Sequence, residues 1–96
     1  VFTQALKSAS RIKNLYDKSS ALREIAKTMV NVGDKRTEQV FTQALESASR
    51  VKSLNNKSKA LTEIAETIAR LIEKHGDGYV NKKTAEQIIK EEQEHG

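Results

Sequence analysis

The sequence has no cysteine, no proline and no tryptophan, and each absence narrows the structures open to it. Without cysteine the chain can form neither a disulfide bond nor a thiolate metal site, so its stability must come from packing. No apolar run approaches the roughly 20 residues of a transmembrane helix, and no signal-peptide pattern is present. We therefore expect a cytoplasmic protein with no membrane partner.

Groups that support catalysis are also scarce. The two histidines, His75 and His95, each follow acidic residues near a predicted helix end, where a cation suits the helix dipole. A metal site needs more convergent ligands than these, and the Gly-Asp-Gly sequence at 76–78 is too short for a phosphate-binding loop. The sequence predicts no catalytic residue, no metal, no cofactor and no enzymatic activity.

The sequence does contain a long internal repeat. Residues 1–31 and 40–70 align without a gap at an offset of 39, and 20 of the 31 aligned pairs are identical. A fixed period of roughly 20–50 residues is typical of stacked repeat architectures. We expect repeat one at 1–39, repeat two at 40–78 and a C-terminal capping helix at 79–96. Because the chain begins with Val1 inside a repeat, we expect it to be a fragment of a larger protein.

Apolar residues recur at spacings of three and four within each repeat, which predicts amphipathic helices. Asp17 or Ser19 is the expected N-cap of the second helix, and Asp34 or Thr37 is that of the third. Gly33 is expected to end the second helix, since a left-handed conformation costs glycine little. The first, fourth and fifth predicted helices cover about 2–15, 58–75 and 82–94, and the third carries its apolar stripe as far as Leu54.

Small residues recur at matched positions of the two copies. Small side chains let adjacent helices approach closely, and short connections make sequential helices antiparallel neighbours. The sequence therefore predicts an all-α fold whose hairpins share one core. The matched alanines are Ala5/Ala44, Ala9/Ala48, Ala21/Ala60 and Ala26/Ala65.

Part of this pattern is similar to a known family of helical repeats. It consists of a large–small apolar pair, a Gly-Asp turn, and small and aromatic packing positions: Ile25–Ala26, Ile64–Ala65, Gly33–Asp34, Gly76–Asp77, Phe41 and Ala44–Leu45. From about 1 to 77 the chain resembles a tetratricopeptide-type (TPR-like) repeat protein, in a long-period variant common in bacteria and archaea. The resemblance implies an α–α superhelix, a solenoid fragment of about five antiparallel helices. It also implies a non-catalytic scaffold that binds protein or peptide.

The resemblance further implies a peptide groove lined by the first helix of each repeat. The first part of that lining is basic, which would favour an acidic peptide or a terminal carboxylate. The same polar residues also fit an ordinary solvent-facing surface. By register the groove candidates are Arg23, Lys27, Asn31, Lys59, Thr62, Glu66 and Arg70.

Two other functions remain open on the sequence. The net charge is +4, and eight basic residues oppose only three acidic ones up to Arg36. This basic first repeat is the basis for RNA binding as an alternative. Matched positions such as Lys7/Glu46 differ in charge, however, so a repeating base-reading code is not expected. The chain could also be purely structural, or form a homo-oligomer through exposed terminal helices.

Overall fold

The computed structural model describes residues 2–76, and this part of the chain is helical and contains no strand. It forms four helices, α1 (Phe2–Ser10), α2 (Leu15–Asn31), α3 (Thr37–Ser49) and α4 (Leu54–His75). The predicted all-α class is thereby confirmed. The predicted capping helix at 79–96 lies outside the described residues.

Helix α2 is the centre of the arrangement. It packs most extensively on α3, and it also contacts α1 and α4, while α3 packs on α4 as well. Tyr16, in the first turn of α2, bonds to Glu63 of α4, and Arg23, two turns later, reaches both Glu63 and Thr67. Lys27, a further turn along α2, lines a cleft with Thr67 and Arg70. Because these contacts advance in the same direction along both helices, α2 and α4 lie side by side and parallel.

The core is formed by the apolar stripes that the sequence predicts. Phe41, Leu22 and Ile64 are respectively 1%, 2% and 0% exposed, which confirms that their helices turn these faces inward. Alanines with almost no exposed surface, such as Ala44 and Ala48, lie among them and let the helix backbones approach. Few side chains in this core are large, so the burial of each one contributes a large part of the free energy of unfolding.

The helix boundaries at the two matched turns differ from the prediction. Helix α1 ends at Ser10 rather than near residue 15, and α3 ends at Ser49 rather than near 54. In each case the terminal serine hydroxyl donates to the carbonyl oxygen three residues earlier, at 2.7 and 2.8 Å. Local serine bonds of this kind compete with the helical pattern and favour helix ends.

The N-caps of α2 and α4 also lie earlier than expected. The Asn14 side chain accepts a hydrogen bond from the Asp17 backbone N–H at 3.0 Å. The Ser53 hydroxyl accepts one from the Asn56 N–H at 3.4 Å. The prediction of Asp17 or Ser19 as the cap was therefore wrong, and α4 begins at Leu54 rather than near 58. Asp17 lies instead in the first turn, where its carboxylate faces the positive end of the helix dipole.

The connection from α2 to α3 is a glycine-terminated helix end. Gly33 has φ of +75°, its N–H bonds to the Val30 carbonyl, and the Asp34 N–H bonds to the Met29 carbonyl at 2.9 Å. This is the Schellman pattern, in which a left-handed residue satisfies the last carbonyls of a helix. The predicted role of Gly33 is confirmed. Gly76 ends α4 with a φ of +77°.

Neither Asp34 nor Thr37 caps α3 with its side chain. The N-cap is Arg36, whose side chain makes no capping bond. The Asp34 carboxylate accepts from the Arg36 N–H at 2.9 Å, and the Thr37 hydroxyl donates to the Asp34 carbonyl at 2.6 Å. The two predicted residues thus stabilise the turn before α3 rather than the helix end itself.

Within residues 2–76, no helix combines the length and the apolar composition needed to cross a bilayer. The longest helix, α4, carries charged and polar residues on its outer side, among them Glu66 and Arg70.

The repeat provides a matched test of the core. Phe41 is 1% exposed, whereas its sequence counterpart Phe2 is only half-buried. We expect Phe41→Leu to lower the free energy of unfolding by about 1–2 kcal/mol, because it leaves a packing defect in a closed core. Phe2→Leu should cost less than half as much. Urea denaturation followed by circular dichroism measures both, and equal losses would contradict the described packing.

Candidate functional site

The predicted groove residues lie on α2 and α4, the two parallel helices. Lys27 and Asn31 are exposed on α2, and Lys59, Glu66 and Arg70 are exposed on α4. The remaining two, Arg23 and Thr62, are half-buried. The structure therefore brings the predicted residues onto adjacent helices but gives them different degrees of access.

Arg23 connects the two helices rather than standing free. Its Nη2 lies 3.4 Å from Glu63 Oε2, and its Nη1 donates to Thr67 Oγ1 at 3.4 Å. Nη1 also lies 2.9 Å from Glu24 Oε1 on its own helix. With 17% of its side chain exposed, Arg23 is held in the seam between α2 and α4. A guanidinium with several fixed partners positions helices better than it captures a ligand.

A second residue of α2 joins the same acidic group. The Tyr16 hydroxyl donates to Glu63 Oε1 at 2.9 Å, so the Glu63 carboxylate is bound through both oxygens. The Lys59 Nζ lies 5.9 Å from the Tyr16 ring centroid, at the limit of a cation–π contact. We call Tyr16, Arg23, Glu63 and Thr67 the α2–α4 seam. The seam fixes the register of the surface formed by the two helices.

Two cations remain at the edge of this seam. Lys27 and Arg70 line a small cleft of about 30 Å³ with Thr67 and Leu71. Both basic side chains are exposed, and the ion pairs found among residues 2–76 do not use them. A lysine and an arginine beside one cleft can bind a carboxylate, the arginine through two parallel N–H groups.

A larger cleft lies where the two matched turns meet. It has a volume of about 240 Å³, and its lining includes Lys13 and Lys52 together with the N-cap residues Asn14 and Ser53. The starts of α2 and α4 therefore share one basic end of the molecule. Positive charge from the lysines and from two helix starts makes this end attractive to anions.

An ion pair between Asp34 and Arg36 lies in the α2–α3 turn. Arg36 Nη2 lies 3.0 Å from Asp34 Oδ2, and Arg36 Nε donates to Oδ1 at 3.2 Å. The side-chain hydrogen bond from Arg36, followed by that from its backbone N–H, lowers the pKa of the Asp34 carboxyl. The pair lies away from the α2–α4 seam and serves the turn.

The described part of the chain contains no group of three or more His, Cys, Asp or Glu side chains arranged to hold a metal ion. His75 is exposed at the last position of α4, as the sequence suggested. His95 lies outside the described residues.

The sequence analysis did not identify Tyr16, Glu63 and Thr67 as partners of Arg23. A signal was nevertheless present, because Tyr16 and Arg23 are replaced by Asn55 and Thr62 in the second copy. A position where near-identical copies differ is a candidate for a contact that only one copy makes. Here the donors occur only in the first copy, and their acceptors lie on the α4 helix of the second.

Comparisons with protein-family models, with curated proteins and with solved structures found no match to this chain.

The seam predicts a measurable coupling between Arg23 and Glu63. In a double-mutant cycle with Arg23→Met and Glu63→Gln, we expect an interaction of about 0.5–1 kcal/mol in low salt, because both groups are partly buried. The interaction should weaken in high salt, since exposed charges are screened. Urea unfolding of the four proteins measures it.

The control for that cycle is Arg23→Met with Glu24→Gln. Glu24 is 58% exposed against 29% for Glu63, so its coupling to Arg23 should be smaller. Equal couplings for the two glutamates would show that the α2–α4 contact contributes nothing beyond a surface pair.

The Asp34–Arg36 pair predicts an effect of pH. Because Arg36 lowers the pKa of Asp34 in the folded protein, the pair stabilises the fold above the pKa of the unfolded chain. That stabilisation is lost as the pH falls through the lower folded-state value. Carboxyl NMR titration of Arg36→Ala should show the Asp34 pKa rising, and an unchanged pKa would contradict the role of Arg36.

Proposed function

We propose that this protein is a non-catalytic helical-repeat scaffold that binds protein or peptide on the surface formed by α2 and α4. The observation that carries the proposal is the pairing of these two parallel helices. They present exposed polar side chains in register, beside a seam that keeps them in position. A helical segment can bind in a groove between helices, and basic side chains beside the groove can hold its acidic groups.

The arrangement of the seam supports a preformed surface. Arg23 and Tyr16 both reach Glu63 on the neighbouring helix, so the spacing between α2 and α4 does not depend on a ligand. A binding surface that is already ordered loses less conformational entropy when a partner binds. The exposed residues Lys27, Lys59 and Arg70 can then act as contacts on a rigid base.

The charge of the exposed contacts indicates the chemistry of the partner. Lys27 and Arg70 lie at one cleft, and Lys59 lies further toward the start of α4. The surface thus has two cations at the Lys27–Arg70 cleft and a third, Lys59, toward the start of α4. This arrangement fits an acidic segment that places a carboxylate at the cleft. Glu66 lies on the same exposed side and would disfavour a partner of uniformly high negative charge.

We also propose that the matched segments are units of an α–α superhelix of the TPR-like type. The support is the sequence repeat of period 39 together with the equivalent positions of α1 and α3 beside α2 and α4. In such a stack each unit contacts only its neighbours, and a continuous surface forms along one side.

RNA binding is the second candidate, and the basic cleft between the matched turns favours it. Lys13 and Lys52 line that cleft, and both are exposed. A phosphate backbone would bind there through charge, with affinity that falls steeply as salt is added. Aromatic side chains that could stack on bases are few in this sequence.

Charge reversal separates the two candidates. We expect Lys27→Glu/Arg70→Glu to weaken binding of a fluorescent acidic nonapeptide with a free C-terminus about tenfold or more, because both cations at the carboxylate cleft are inverted. Arg23 is left intact, since its reversal would break the seam. Fluorescence anisotropy measures the affinity, and the same peptide with an amidated C-terminus tests the role of the terminal carboxylate.

The matched control is Lys13→Glu/Lys52→Glu, which changes the net charge by the same amount at the other end of the helices. It should leave peptide binding nearly unchanged. Equal losses for both variants would reject the α2–α4 surface. Strong, salt-sensitive binding of oligouridylate that is lost only in the control variant would establish the second candidate instead.

A further inference from the structure

Helices α1 and α3 have nearly the same sequence but different surroundings. Residues 2–11 and 41–50 differ at one position in ten, Lys7 against Glu46. In α3, Ala44 and Ser47 are 0% and 6% exposed. Their counterparts in α1, Ala5 and Ser8, are both exposed. The first helix therefore offers to solvent a surface that the third helix buries.

The neighbour that buries this surface in α3 is α2. Helix α1 packs on α2 just as α3 packs on α4, so the residues buried only in α3 are those that its second neighbour covers. In agreement, Ser47 lines a cavity together with Leu22 of α2. We call Ala5 and Ser8 with the half-buried Phe2 the α1 face.

Helix α4 shows the complementary difference from α2. Ser19 and Val30 of α2 are buried, with 1% and 2% of their surface exposed. Their counterparts in α4, Ser58 and Ala69, are exposed. In the described part of the chain, no helix follows α4 to cover them.

The exposed end of α4 also includes a large apolar side chain. Leu54 is 61% exposed, whereas its counterpart Leu15 is half-buried and lines the cavity between α2 and α3. Between the exposed positions, Leu61 and Ala65 are already buried in the core. We call Leu54, Ser58 and Ala69 the α4 face.

We propose that copies of this chain associate head to tail, with the α1 face of one copy packed on the α4 face of the next. This contact would reproduce between copies the α2–α3 packing that exists within each copy. The partner is a second copy because this chain carries both halves of the contact. Helix α1 repeats the sequence of α3, helix α4 repeats that of α2, and α2 and α3 already pack on each other within the chain. The contact is heterologous, so it extends into chains of copies rather than closing as a symmetric dimer.

These faces are separate from the proposed peptide surface. Neither the α1 face nor the α4 face includes Lys27 or Arg70. Failure of the association would therefore leave the peptide-binding proposal standing, and failure of peptide binding would leave the association standing.

One charge difference sets how tight the contact is. Lys18 and Glu46 line the same cavity between α2 and α3. Between copies their counterparts are Lys57 and Lys7, which have like charges. The association is therefore weaker than the internal contact and strengthens with salt, because screening reduces the repulsion. Lys7→Glu, which restores the residue of α3, should tighten it about fivefold or more.

Sedimentation equilibrium over a range of concentrations tests the proposal, at low salt and at about 0.5 M NaCl. We expect the mean mass of the wild type to rise with concentration, more steeply in high salt. Ala5→Glu and Leu54→Glu should each raise the dissociation constant about tenfold or more. Both positions are exposed, so the fold should persist, and circular dichroism checks this.

The matched controls place the same charge on neighbouring exposed positions. Thr3→Glu and Asn56→Glu should associate nearly as well as the wild type, because the counterparts of these positions, Thr42 and Asp17, stay exposed. The decisive mixture combines Ala5→Glu with Leu54→Glu, each of which retains one intact face. It should form a one-to-one dimer at concentrations at which each variant alone stays monomeric.

Three results would overturn the proposal. The first is a wild type that stays monomeric in high salt at about millimolar concentration. The second is an Ala5→Glu variant that associates like the wild type. The third is a mixture of the two blocked variants that gives no dimer, which would indicate a symmetric contact between identical faces.

Discussion

The packing of α2 between its three neighbours is the contact on which the rest of the structure depends. This one helix contacts α1, α3 and α4, and its apolar residues Leu22, Ala26 and Met29 have at most 2% of their surface exposed. Individual hairpins of this length bury too little apolar area to be stable alone. The central helix connects them into one core, and alanines at the crossing points make the close approach possible.

Two of the positions at which the copies of the repeat differ form contacts between the copies. Tyr16 and Arg23 occur in the first copy alone and bind the Glu63 carboxylate of the second. In the second copy the same positions hold Asn55 and Thr62. The apolar residues that both copies share build the hairpins. The divergent donors Tyr16 and Arg23 add polar contacts between one hairpin and the next.

Sequence patterns predicted the helices and their inward faces well because burial imposes a period of 3.6 residues on apolar side chains. Helix ends were predicted less well. Asn14 and Ser53 cap α2 and α4, although Asp17 is an equally good capping residue by type. The choice depends on where the preceding helix stops, which the serine bonds at Ser10 and Ser49 decide. Of the predicted groove, Lys27 and Arg70 are accessible, while Arg23 is held in the seam.

By itself the sequence determined that the chain is helical, that two segments are near-copies and that each helix has one apolar side. Local period, alanine spacing and glycine turns are sufficient for that. Only the tertiary structure decided which identical residues are buried and which are exposed, as Ala44 and Ala5 show. The reason is physical: exposure depends on the neighbours of a residue, and residues of the same type in the same local sequence can have different neighbours.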